Sequence, residues 1–254
     1  MHGANPTQLS RGDASPKRGQ QKLSARTSYL AFPPERADRI DDMSSVLSND
    51  RESFDELDRL ESHWERPFKR SFYWMLTFSH DHSVAELVRS CQQELNLPFL
   101  DPIESDDLHL TMRRASYGIY TDEGDALQNA DGIRTQLSAI NQFRLGLFPM
   151  AGSPRAVRMS VFPWEPLIKI FDIITDGDDQ QTTVTSKLFR PHVGVGYVNQ
   201  SVSARPVIER VIKLRRIEPH WTTVKSVDLV DLRREGSSYK WDTVLSCDLG
   251  SRTI

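Results

Sequence analysis

The sequence predicts an α+β fold built on antiparallel sheets and laid out as two related halves. Three observations carry this prediction. Short apolar runs of strand character alternate with amphipathic helical stretches, without the regular βαβ spacing of a parallel sheet. Each half holds a helix of similar length and a strand bearing a His tetrapeptide, His109-Leu110-Thr111-Met112 in the first and His192-Val193-Gly194-Val195 in the second. Two long strand-like segments close the chain, joined by the hairpin signal Gly236-Ser237. The halves are not visibly alike residue by residue, so the duplication rests on layout.

Residues 1–35 read as a disordered basic tail: Gly, Ser, Pro, Gln and Arg dominate, with too little apolar periodicity to offset the entropy of ordering. A nucleic-acid-binding arm, an organelle transit peptide, or translation starting at Met43 are the alternatives. Residues 36–66 are acidic and rich in helix formers, and Phe54, Leu57 and Leu60 give a thin stripe that predicts a surface helix. The remainder, 67–254, reads as the main domain. Its aromatic run Phe72–Phe78 predicts a buried strand. Ser83 is positioned to cap a helix with the stripe Val84, Leu87, Val88, Cys91 and Leu95, which Pro98 ends. The first His strand follows at about 107–113, then a polar loop from Ser116 to Asp125 and a helix ending near Ile140. Strands are expected at 143–148 and 156–162, and a helix is expected from Trp164, Leu167, Ile168, Phe171 and Ile174 at helical spacing. The second His strand spans about 190–198, a helix 204–215, and long strands 222–234 and 238–248.

At 254 residues the chain suffices for one sizeable domain or two small lobes sharing a cleft, and its formal net charge of -3 excludes a generally basic nucleic-acid coat. Cys91 and Cys247 fit no CxxC or metal spacing and are expected as reduced core residues. No apolar run reaches the roughly 18 residues of a membrane span, and no signal-peptide core is present, so a cytoplasmic protein that makes no membrane contact is expected.

Strand geometry gives the tetrapeptides their meaning. Period-2 alternation turns His109 and Thr111 to one face and Leu110 and Met112 to the other, and His192 and Gly194 divide from Val193 and Val195 in the same way. Two such strands meeting across a cleft would offer two imidazoles to one substrate. Imidazoles near pKa ~6.5 can hold opposite protonation states at neutral pH, one as base toward water and one as acid toward a leaving oxygen. A hydroxyl such as Thr111 can donate to the phosphate oxygens that gather charge in the transition state. The same alternation places Arg113 and Arg190 beside the histidines, either as phosphate clamps or as solvated strand ends. The alternative for the histidines is a hydrogen-bonded structural role.

The ordered pair of motifs resembles the two-histidine (2H) phosphoesterase superfamily, whose pattern is two copies of His-hydrophobic-Ser/Thr-hydrophobic, and within it the bacterial 2'-5' RNA ligase-like branch. The likeness runs from His63-Trp64-Glu65-Arg66-Pro67 to the end of the chain. It takes in the aromatic strand, Leu108–Thr111, Val161–Pro166, Phe189–Val193, Tyr239-Lys240-Trp241 and Leu249-Gly250. It implies a two-lobed fold with pseudo-twofold symmetry around a central cleft and no cofactor or metal. The implied activity is hydrolysis of 2',3'-cyclic phosphates on RNA 3' ends or on small cyclic nucleotides. A monomer is expected. By position, His109 and His192 would be the acid–base pair and Thr111 a phosphate donor, with Gly194, Arg113 and Arg190 at the substrate. Gly194 departs from the pattern. It removes one hydroxyl, worth about 1.5–3 kcal/mol and roughly 10- to 100-fold in rate, unless another group or a water fills the space it opens. The alternative reading is a weak or inactive RNA-end or nucleotide-binding module.

Other patterns carry less. His80-Asp81-His82 reads as a polar turn and not a metal site, and Asp176, Asp178 and Asp179 as a solvated acidic loop. Tyr117 and Tyr120 could stack on a base or pack in the loop. His220-Trp221 enters a strand with no assigned role.

Overall fold

Strand alternation and helical stripes sort the chain into two antiparallel sheets, each backed by two helices. The computed structural model describes residues 40–65, 67–115, 123–127, 130–177 and 188–251, all within the unit Pro33–Ile254. In chain order the elements are α1 (Met43–Asp55), β1 (Arg59–Leu60), β2 (Ser71–Thr77), α2 (His82–Leu95), β3 (Leu100–Pro102) and β4 (His109–Arg114). Next come α3 (Glu123–Leu127), α4 (Ala130–Leu137), β5 (Phe143–Ser153), β6 (Ala156–Phe162) and α5 (Glu165–Asp176). The chain closes with β7 (His192–Val198), β8 (Val202–Ser203), α6 (Arg205–Leu214), β9 (His220–Val224), β10 (Ser226–Glu235) and β11 (Ser238–Asp248).

The first lobe is the sheet β11-β10-β2-β4, with α4 and α5 packed on it. The second is β3-β7-β6-β5-β9, backed by α2 and α6, while β1 and β8 form a separate two-stranded pair. The predicted α+β class, with antiparallel sheets around a cleft, is what the chain adopts. The stripes explain the helix seats: Leu167, Ile170, Phe171 and Ile174 of α5 are all buried, each contributing on the order of 1.5–3 kcal/mol. Cys91 and Cys247 are buried free thiols, and burial pushes them up to about 12 and about 11, so both stay protonated. No described helix is long and apolar enough to cross a membrane.

Four expectations change. The span 222–234 is two strands: β9 pairs with β5 in the second sheet, and β10 pairs with β2 in the first, so the chain crosses between lobes at Lys225. Uniform strand propensity on both sides of that crossing hides it from the sequence. Asp81, not Ser83, caps α2, its carboxylate accepting the N–H groups of Ser83 and Val84 at 3.1 Å. The strand expected to stop at Phe148 runs to Ser153 through an irregularity between Phe148 and Ala151. Helix α1 ends at Asp55, so Leu57 lies beyond it and Leu60 belongs to β1. The tail 1–35, Arg66, Tyr117, Tyr120, Asp178 and Asp179 lie outside the described residues.

Candidate active site

The cleft faces of both sheets follow from register. In the first sheet His109 pairs with Thr77 and Thr111 with Met75, so these side chains share one face, while Leu110 pairs with Leu76 on the buried side. In the second sheet His192 pairs with Ser160 and Gly194 with Arg158. Strands β4 and β7 approach within 8 Å (Cα to Cα), bringing the two motifs together from sheets that do not otherwise share a ladder.

A second likeness between the lobes appears only in three dimensions. On β4 the register slips between Thr111, opposite Met75, and Arg113, opposite Trp74. On β7 it slips between Gly194, opposite Arg158, and Gly196, opposite Val157. Both strands thus bulge at the same distance past the histidine, the inserted residues being Met112 and Val195.

The bulge corrects the reading of Arg113. Simple alternation puts it beside His109, but the slip pairs it with Trp74, on the buried face, and Arg114 takes the cleft face opposite Tyr73. Arg113 is only 3% exposed, and its Nη1 donates to Thr175 Oγ1 at 2.6 Å with the guanidinium 6.0 Å from the Phe171 ring, both on α5. Arg190 stands just before β7. Its guanidinium lies 5.9 Å from the Trp164 ring and donates to the Phe189 carbonyl, while its own carbonyl serves His192.

Both histidines are held by one device. His109 Nδ1 lies 2.7 Å from the Asp107 carbonyl, and His192 Nδ1 lies 2.8 Å from the Arg190 carbonyl, in each case two residues upstream. A carbonyl only accepts, so it calls for a proton on Nδ1 and leaves Nε2 its lone pair; at His192 this 2.8 Å contact outweighs the longer 3.3 Å approach of the Arg158 donor. The surroundings differ. Burial lowers His109 below its usual value, partly offset by the hydrogen bond and the charge of Asp107. His192 is pushed down to about 3, by burial first and then by Arg158, whose Nη1 stands 3.3 Å from Nδ1; the Arg190 hydrogen bond opposes the shift and His109 adds to it. Asp107 itself accepts from Lys240 Nζ at 2.6 Å and Ser238 Oγ at 2.9 Å, fixing the loop that carries His109's acceptor.

Thr111 is exposed on the cleft face. Gly194 does not open an empty space: a Cβ there would stand 2.6 Å from Ile103 Cδ1, so an isoleucine methyl occupies the place of the missing side chain.

Two tryptophans to which the sequence assigns no role form an aromatic wall. Trp241 meets His109 edge-on at 5.3 Å between ring centroids. It lines a cavity of about 840 Å³ between the sheets, together with Thr77, Asp228 and Thr243 from the first sheet and Trp221 from the second. Trp221 pairs with Gly146 and packs edge-on against Phe148, whose partner Ser160 pairs with His192, so it stands on the His192 face. Tyr239-Lys240-Trp241 had only a place in the resemblance; alternation along that strand, facing the same way as β4, was the available signal. His80 and Asp81, in the polar turn, also line this cavity. Among the described residues no group of three or more His, Cys, Asp or Glu is placed to hold a metal ion.

No protein-family model and no curated protein matches the chain. Solved structures do. TT0787 of Thermus thermophilus superposes with a TM-score of 0.54 at 15% identity, over 72% of this chain and 100% of that one. E. coli LigT complexed with 3'-AMP gives 0.52 at 14% identity over 71% and 98%, and a structure described as a phosphoesterase gives 0.51 at 12% over 72% and 99%. With its paired histidine strands and matched bulges, the chain has the two-lobed fold of these TT0787, phosphoesterase and LigT structures.

Proposed function

We propose that this protein is a metal-independent phosphodiesterase that opens 2',3'-cyclic phosphates on RNA ends or small nucleotides. The observation that carries the reading is the pair of imidazoles on facing strands, each locked with Nδ1–H on a carbonyl and Nε2 left basic. One must gain a proton and the other must lose one in each turnover. Arg158 penalises the imidazolium of His192, and Asp107 favours that of His109. His192 is therefore the base: Nε2 takes a proton from water as its oxygen forms the new P–O bond. His109 is the acid: once protonated, it gives the proton to the ribose oxygen as the second P–O bond breaks. Thr111 donates to a nonbridging oxygen. The cavity bearing Trp221 and Trp241 supplies aromatic faces for a base, and LigT has been crystallised with 3'-AMP and with ATP.

The test is end-group conversion of a short RNA bearing a 2',3'-cyclic phosphate, with EDTA present. Turnover that persists in EDTA and falls at least about 100-fold in His109→Ala and in His192→Ala, both folded, supports the proposal. Unchanged rates in either variant refute it.

A second reading has its own observation. Ile103 Cδ1 fills the place of the second hydroxyl, which suits a cleft that binds RNA ends or nucleotides with little turnover. Saturable binding without conversion is its result.

A further inference from the structure

Helix α1 does not lie on the outer surface with the backing helices. It sits over β5 and β6, on the face that carries Ser160 and hence His192. Phe54 anchors it, its ring at the place a Cβ on Gly152 would take, 2.3 Å away. One turn earlier, Asp50 accepts from Ser160 Oγ at 2.6 Å and stands 4.0 Å from the Arg158 guanidinium. Both side chains of this ion pair are buried, at 3% and 5% exposure. Arg158 faces Gly194 across the ladder, and its Nη1 is the cation beside His192 Nδ1.

We propose that Asp50 and Arg158 form a positioning pair that keeps the His192 ring singly protonated, so that its Nε2 stays free as the proton acceptor. The pair rests on the acid–base reading given above and extends it to a helix distant in sequence. Two physical arguments support it. A guanidinium has no lone pair and is always charged, so beside Nδ1 it opposes a second proton on the ring. The Arg190 carbonyl meanwhile selects which nitrogen keeps the single proton. A buried ion pair is also a weak stabilising device, since desolvation consumes most of its attraction, and apolar residues of similar volume serve as well or better. Its position beside one imidazole and not the other breaks the symmetry of the two motifs. The charged or titratable groups facing His192 are Arg158 from β6 and His109 from β4, with Asp50 of α1 behind Arg158 and Arg190 on its own segment.

The experiment is long-range 15N NMR of the histidine rings across pH, on the full chain. In the wild type the His192 shifts should show Nδ1–H with Nε2 bare, and no titration near 6.5. Asp50→Asn with Arg158→Gln removes both buried charges at once and leaves two neutral amides, so neither charge is stranded. In that double variant the His192 midpoint should rise by about one to three pH units, with Nδ1 still protonated because the Arg190 carbonyl remains. Arg158→Lys keeps the cation and should hold the midpoint within about half a pH unit of the wild type, against that larger shift. An Nε2–H tautomer in the wild type, an unmoved midpoint in the folded double variant, or a rise in Arg158→Lys equal to that of the double variant would each overturn the proposal. If the double variant does not fold, the wild-type tautomer and Arg158→Lys decide it. None of these readings needs substrate. A chain inert toward cyclic phosphates would therefore sink the proposed activity and leave this test standing.

Discussion

Restoring the second hydroxyl is the sharpest perturbation the cleft offers, and the structure sets one movable group, the Ile103 methyl, in its way. In Gly194→Ser the new Cβ meets Ile103 Cδ1 at 2.6 Å, closer than side-chain carbons pack, so the isoleucine must shift. Overpacking of this kind costs about 1–3 kcal/mol, comparable to the gain from one hydrogen bond to a charged phosphate, about 1.5–3 kcal/mol. The single variant should therefore change kcat/KM by less than about tenfold in either direction. Ile103→Val deletes the Cδ1 atom, at a cost of about 0.5–1.5 kcal/mol in stability. With that methyl gone the serine hydroxyl fits, and kcat/KM on a 2',3'-cyclic phosphate RNA should exceed the wild type by about 10- to 100-fold. The assay is initial-rate kinetics in EDTA on wild type, both single variants and the double variant, with thermal melts to confirm folding. A folded double variant no faster than the wild type would refute the idea that a hydroxyl is what the second motif lacks.

The bulge on β4 separates two adjacent arginines. Arg113→Ala should lose about 1.5–3 kcal/mol of stability by breaking the buried bond to Thr175, read as a lower Tm. Arg114→Ala, which breaks a bond to Ser71, should lower the Tm less than Arg113→Ala and should also raise KM, because it faces the cleft; an unchanged KM would contradict the register. Trp241→Ala should raise KM for a nucleotide substrate about tenfold or more, the worth of one stacked base, and an unchanged KM would show that bases lie elsewhere. Both histidines have folded values below the unfolded ~6.5, so the unfolded chain binds more protons in that range. The stability they contribute is complete above about pH 6.5 and is lost as pH falls toward the folded values. Tm should drop between pH 6.5 and 5, and drop less in a His109→Gln, His192→Gln double variant. The same pair predicts that kcat/KM declines as pH rises through the His109 value, on the acid side of 6.5.

What the sequence determined is what local periodicity encodes. Alternation in Leu108–Met112 and Pro191–Val195 placed each histidine opposite an apolar face, because side-chain direction along a strand follows from the backbone alone. The amphipathic stripes of α2 and α5 likewise announced the helices that bury them. Tertiary structure decided everything that depends on strand partners. Hydrogen-bonded register between strands far apart in sequence set the bulges at Met112 and Val195, which sent Arg113 to the core and Arg114 to the cleft. It also split the span 222–234 between two sheets, since propensity is the same on either side of Lys225. Ile103 in the place of the missing hydroxyl, Trp241 at the edge of His109, and Asp50 behind Arg158 are contacts between separate elements. No residue in them carries a local pattern naming its partner, because the packing of two sheets and a helix brings them together and chain neighbours do not.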